Sequence, residues 1–272
     1  MNTILKKYSR EIIVAVIFLL AYLPAFIWMW ARWWARDSYY SHGILIPFAS
    51  IYLIWQIKDE LKKIKPSSSP WGMPLIVAGL IIHLLSSLLR VYFSSGFSMI
   101  IVLSGLVLHF YGKDIFKKVA FPIAFLFFMV PLPMVVIANI SFKLKLFAAK
   151  IAAIILNDMG LPAMQQGSII RMRSAYVIVD DVCSGLRSLV SLTALGSIAA
   201  YWLKGPLSKR MLLFLSTIPI AVITNVCRII LLSCISEIWG TEYATGFIHD
   251  FTGFLVFAIA LLLLFAVKKL IE

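Results

Sequence analysis

The chain is divided into long apolar runs, and this patterning limits its possible folds more than any other feature. A run of about 20 mostly apolar residues crosses a bilayer as a helix, because only helices and closed barrels satisfy their own backbone polar groups there. Eight such runs can be marked, at residues 12–34, 43–57, 73–89, 97–111, 119–139, 184–203, 211–235 and 249–267, the second and fourth being short. Of the 272 residues, 62% are hydrophobic and 14% charged. Soluble domains hold about 45–50% apolar residues. The expectation is therefore an all-α membrane protein of about eight transmembrane helices, forming one integral-membrane domain over residues 1–272. The first run has no small-residue cleavage site after a short core, so it reads as a retained anchor rather than a signal peptide.

The net charge of +13 would suit a nucleic-acid partner, but the basic residues lie between the apolar runs, where topology determinants belong. With the N-terminus in the cytoplasm, fifteen basic residues fall inside and eight outside. Every cytoplasmic connection is then basic, and both termini are cytoplasmic. Segment 141–157 carries Lys143, Lys145 and Lys150 among apolar residues. It reads as an amphipathic helix in the outer interface, since a span there would invert the last three helices. Pro131 and Pro133 break the fifth run at its outer end. The β-branched stretches 168–172 and 175–179 predict a small outer hairpin. The linker 66–70 reads as an ordinary cytoplasmic loop.

The residues able to do chemistry gather at the expected outer ends of the runs. Cys183 opens the sixth run, in Cys183-Ser184-Gly185-Leu186-Arg187. Asp180 or Asp181 can N-cap the following helix, which would put the thiol in its first turn. Unpaired amides and the helix dipole favour a thiolate there. The plain alternative is a small residue packing two helices. Arg228, in Asn225-Val226-Cys227-Arg228, interrupts an apolar run about seven residues, roughly 10 Å, below its outer end. Such a charge faces a bundle interior or polar cavity, or else snorkels or pairs structurally. Its guanidinium does not lose its proton, so it suits an oxyanion clamp or carboxylate anchor rather than a base. Asn225 precedes it by one turn and shares its face.

His249 opens the last run, and imidazole is a natural partner for activating a thiol and protonating a leaving amine. Asp250 beside it can orient the ring; an interfacial histidine without chemistry is the alternative. Arg187 follows Cys183 by one turn and can stabilise a thiolate, bind substrate or pair with Asp180 or Asp181. His42, in Tyr40-Ser41-His42-Gly43, is a second acid/base candidate or simply a loop residue. His83 and His109 read as packing residues, and Trp28, Trp30, Trp33 and Trp34 as an interfacial belt. Cys227 and Cys234 lie on one helix roughly 10 Å apart, too far for a disulfide. There is no CxxC or HExxH motif, so neither a metal nor another cofactor is expected.

In this order, these residues resemble the exosortase/archaeosortase family. The likeness covers nearly the whole chain. It is carried by segment 37–47 with Tyr40-Ser41-His42-Gly43, by Phe121-Pro122 through Pro131-Leu132-Pro133, by Cys183-Ser184-Gly185-Leu186-Arg187-Ser188, by Asn225 with Arg228, and by His249 with Gly253. The lead-in Val179-Asp180-Asp181-Val182 departs from the glutamate–alanine pair that precedes the cysteine in many relatives. The resemblance implies a multi-pass cysteine transpeptidase of the bacterial PEP-CTERM type, a type often accompanied by exopolysaccharide gene sets. It implies Cys183 as nucleophile, Arg228 as transition-state stabiliser and His249 as acid/base; Arg187, Asn225 and His42 are the candidates for substrate binding or support. Substrates would be exported proteins ending in a short motif, a transmembrane helix and a basic tail. The acceptor would be a lipid or envelope component, and the active site would face outward from the plasma (inner) membrane. From the residues alone, a multi-pass transporter and a non-catalytic assembly factor for envelope polysaccharide stay open, because an intramembrane arginine and proline breaks also suit a substrate path.

Overall fold

Helices account for most of the protein, which a computed structural model describes over residues 9–35, 38–180, 185–244 and 246–272. The chain divides into two compact units, Met1–Leu132 and Pro133–Glu272.

The first unit contains α1 (Ser9–Ala21), α2 (Leu23–Trp33), α3 (Leu45–Gln56), the single turn α4 (Lys58–Leu61), α5 (Gly72–Leu88) and α6 (Tyr92–Phe125). Pro24 stands in the first turn of α2, where its missing N–H costs nothing, and α1 and α2 meet at 60°. The unit is joined by hydrogen bonds from side chains at helix faces. Tyr22 Oη lies 3.1 Å from Ser98 Oγ, Ser50 Oγ donates to the Pro122 carbonyl at 2.7 Å, and Trp33 Nε1 donates to the Met129 carbonyl at 2.9 Å. Trp33 is thus a buried anchor rather than part of an interfacial belt, whereas Trp30 and Trp34 are exposed. His83 has partners that the sequence did not reveal: its Nδ1 lies 2.8 Å from Ser95 Oγ, and its ring lies 4.3 Å from that of Tyr22. The linker 66–70 is not a free loop, because Ser67 and Ser69 donate backbone N–H groups to the Tyr111 and Leu108 carbonyls of α6.

The second unit contains α7 (Met134–Asp158), β1 (Met164–Gln166), β2 (Ile169–Arg171), β3 (Tyr176–Ile178), α8 (Leu186–Trp202), α9 (Leu207–Trp239) and α10 (Gly246–Ile271). The expected hairpin is present as β2 and β3, and β1 extends it to a three-stranded antiparallel sheet in the order β1-β2-β3. Ala148, Ala149, Ala152 and Ala153 give α7 a small-residue face that packs on Ile170 and Val179 of the sheet region and on Val226 and Ile229 of α9. On its other side α9 presents Ile220 and Ala221 to Leu192 of α8 and to Ala260 and Leu264 of α10. Central α9 therefore holds the sheet, α7, α8 and α10 about one axis.

Among the described residues, three helical stretches are long and apolar enough to cross a membrane: Tyr92–Met129, α9 and α10. The bent α1–α2 pair makes a fourth. Eight separate spans do not appear at this level. The fourth and fifth expected runs share α6, which carries a non-helical kink at Gly112 where a loop was expected. α3 has only 12 residues and α5 only 17, while Lys143, Lys145 and Lys150 keep the 25-residue α7 out of the set. The proline break occurs as expected: α6 ends at Phe125, Val130 is extended, and α7 starts after Pro133.

A Cβ at Gly43 would stand 2.3 Å from Trp33 Nε1, inside the indole that anchors α2. Gly43→Ala should therefore destabilise the protein by about 1–3 kcal/mol, as overpacking does. Thermal unfolding in detergent, compared with Ser41→Ala on the exposed side of the same turn, checks this.

Candidate active site

Burying a guanidinium is costly unless its N–H groups find acceptors. Arg228, on the inner face of α9, is only 7% exposed. It stands eleven residues before the end of α9 at Trp239, about 16 Å of rise, so it lies deeper than the sequence spacing suggested. Its Nη2 donates to the His249 carbonyl at 2.8 Å and lies 3.2 Å from His249 Nε2 and 3.4 Å from Nδ1. Thr252 Oγ1 donates to the same carbonyl at 2.9 Å. The guanidinium reaches this position because residue 253 has no side chain: a Cβ there would lie 3.1 Å from Nη2 and 3.3 Å from Cζ. Among the described residues, no acceptor meets the buried Nε of Arg228.

His249 is the fourth residue of α10 and is partly buried. Its Nδ1 lies 3.4 Å from Asp250 Oδ1, so the adjacent carboxylate does reach the ring, at the long end of a hydrogen bond. A proton on Nδ1 facing Asp250 leaves the Nε2 lone pair to accept from Arg228, a tautomer that satisfies both contacts. Beside His249 opens a cavity of about 440 Å³, bounded by the end of β3, Leu232 of α9 and the link between α9 and α10.

Asn225 is buried one turn before Arg228. Gly185 packs against it with φ +77°, and a Cβ on Gly185 would come within 2.8 Å of Asn225 Cγ. Both the left-handed backbone and the contact require glycine. Gly185 precedes α8, which begins at Leu186 and uses the Gly185 carbonyl to accept the first helical bond, from Leu189 N–H. Neither the helix start at residue 184 nor an aspartate N-cap is therefore found. Asp180 is exposed and takes no part in capping, while Asp181 and Cys183 lie outside the described residues. Arg187 is the second residue of α8 and partly buried, and its Nε meets no acceptor among the described residues. Cys227 is exposed and Cys234 partly exposed, both with free thiols.

The structure thus brings together Arg228 and His249 through Arg228 Nη2, which meets both the His249 carbonyl and its ring, with Asn225 on the Arg228 side and Gly185 behind it. His42 belongs to the first unit, in the 3-10 turn Ser41–Ile44 ahead of α3, where its ring stacks at 6.0 Å from that of Tyr40. The sequence marked Arg228 and His249 individually. It did not reveal the role of the His249 carbonyl, nor that of Thr252. Among the described residues, no group of three or more His, Cys, Asp and Glu side chains gathers as a metal site would.

A family model described as transmembrane exosortase (Exosortase_EpsH) matches residues 33–266. No curated protein and no solved structure matches the chain.

Burial pushes the His42 imidazole down from 6.5 to about 4. The folded state then binds fewer protons than the unfolded state between these values, so stability is complete above pH 6.5 and falls as the pH drops towards 4. Between pH 7.5 and 5 this group should cost about 2 kcal/mol. Thermal unfolding should show wild type losing more stability over this interval than His42→Gln; equal losses would exclude the effect.

Proposed function

The chain belongs to the transmembrane exosortase family, a family of membrane protein-sorting transpeptidases, and we propose that it cleaves the C-terminal sorting signal of exported proteins through a Cys183 thioester. The single observation that carries the reading is the Arg228–His249 contact, with a buried Arg228 Nε left to donate. A permanently charged donor behind an imidazole that lines a cavity suits acyl transfer. The nucleophile itself rests on the sequence motif.

His249 takes the Cys183 thiol proton, the thiolate attacks the scissile carbonyl, and the C=O electron pair moves onto oxygen. Arg228, offering Nε and its second terminal nitrogen, stabilises this oxyanion. His249 gives a proton to the departing amine as the C–N bond breaks, and a thioester remains. An acceptor nucleophile then loses its proton to His249, attacks the thioester and returns the thiolate. A lipid or envelope component serves as acceptor, and water in its place would make the protein a protease. The substrate's expected form is a short motif, a membrane helix and a basic tail. PEP-CTERM-type sorting beside exopolysaccharide production is the corresponding bacterial setting.

Orientation follows the basic residues, and residues 1–272 act as one membrane domain. In the first unit, Lys118 pairs with Glu60 at 2.7 Å and Arg10 lies 4.3 Å from the Phe110 ring, so three basic segments share one end. In the second unit, Lys209 Nζ donates to the Ile271 carbonyl, which joins the basic start of α9 to the basic end of α10. Both sets belong on the cytoplasmic side of the plasma membrane, with His249 at the outer face. α6 supplies two crossings, one on each side of its Gly112 kink, and the shorter helices α3, α5 and α8 bring the total to about eight by tilt and local thinning of the bilayer, while α7 lies in the outer interface.

A co-expressed reporter ending in such a signal tests the proposal by mass spectrometry of its new C-terminus. Cys183→Ala should abolish processing. Arg228→Lys, which keeps the charge but loses the fork, should slow it by about 10²–10³-fold. Normal processing by Cys183→Ala would sink the scheme and favour the transporter or assembly-factor readings.

A further inference from the structure

In a helical membrane protein a small sheet with an open edge needs an explanation. Met172 N–H donates to the Ala175 carbonyl at 2.9 Å and Val179 N–H to the Ser168 carbonyl at 2.8 Å. In an antiparallel ladder the bonded pairs alternate. With the register Ile170↔Val177 between them, residues 175, 177 and 179 bond inward to β2. Tyr176 and Ile178 therefore turn their N–H and C=O groups away from the sheet. The Tyr176 carbonyl accepts from Ser236 Oγ at 3.4 Å and the Ile178 carbonyl from Asp180 N–H at 3.1 Å. The two outward N–H groups meet no acceptor among the described residues.

This edge borders the cavity that reaches His249. Tyr176, Val177, Ile178 and Asp180 form one wall, Leu232 of α9 forms another, and Thr241, Glu242 and His249 line the far side. The cavity's carboxylates are Asp180 and Glu242, and no lysine or arginine lines it among the described residues. Exposed edge strands with unpaired N–H groups add a further strand from another chain.

We infer that the open edge of β3 is a strand-addition site for the extended substrate segment carrying the scissile bond. The backbone of that segment accepts from Tyr176 and Ile178 N–H, and its complement to Asp180 and Glu242 is a basic side chain near the cut. This inference rests on the sorting-transpeptidase reading and adds to it the conformation in which the substrate is bound and the strand that binds it. Main-chain recognition of this kind tolerates varied side chains, as an enzyme serving several exported proteins requires.

The test uses full-length protein in membranes and a reporter ending in a short motif, a membrane helix and a basic tail. Tyr176→Pro and Ile178→Pro each delete an outward N–H while leaving the bonds to β2 at residues 175, 177 and 179 in place. Each should lower kcat/KM about five- to tenfold, with an unchanged melting temperature. Because a proline can distort the strand, a second measurement places a benzophenone photo-crosslinker at Thr241. It should capture the reporter within a few residues of the new C-terminus. Exchanging the captured residue for lysine should speed processing, and for glutamate slow it. Wild-type processing with undiminished rates in both proline variants, or capture only on the reporter's membrane helix, would overturn strand addition while leaving the transpeptidase reading standing. Failure of wild type to process any such reporter would overturn both.

Discussion

A guanidinium held away from water must be supplied with oxygen atoms, and the second unit is arranged around that need. Arg228 sits in the middle of α9, where a charge bare of partners would cost several kcal/mol. Its main acceptor is the His249 carbonyl, a backbone atom of the first turn of α10. A backbone acceptor fixes the helix as well as the side chain. The contact sets the register in which α10 meets α9, and Gly253 is the gap that lets the charge come that close. The opposite flank of α9 meets α7 and the sheet through an apolar cluster, with Ser236 Oγ donating to the Tyr176 carbonyl, so those elements pack without competing for the charge.

Much of this was legible from residue types. The long apolar runs announced helices, the β-branched pair of stretches announced β2 and β3, and a lone arginine inside an apolar run announced a buried partner. Other features were not, because they depend on atoms the pattern does not encode. β1 is Met164-Gln165-Gln166, a sequence with no apolar–polar alternation, and exists because β2 offers a pairing edge. His83 showed no partner along the chain because its partners, Tyr22 at the α1–α2 link and Ser95 on α6, come from elsewhere in the unit. The start of α8 moved to Leu186 because Gly185 takes a left-handed conformation against Asn225, a contact 40 residues away in sequence. A capping aspartate was the reasonable local reading, and tertiary packing overrode it. For Cys183, motif position and family remain the argument, since it lies outside the described residues.

On the proposed function, the sheet beside the charged pair answers a problem set by the substrate. A peptide bond inside a membrane helix is shielded: its carbonyl accepts from an N–H four residues on, and neighbouring side chains cover both faces. An attacking thiolate needs a planar carbonyl with an open face, so the segment around the cut must leave the helix. Unwinding near the bilayer strands polar backbone groups that the lipid cannot satisfy. In the proposed reaction, an edge strand with two outward N–H groups would supply replacement donors at the spacing of an extended chain, while Arg228 would serve the oxygen that becomes charged. Edge and guanidinium thus act on different states. The edge holds the extended ground state, and Arg228 binds more strongly as negative charge develops. Interactions of the second kind raise the rate of the chemical step, whereas those of the first decide which chain is presented to it.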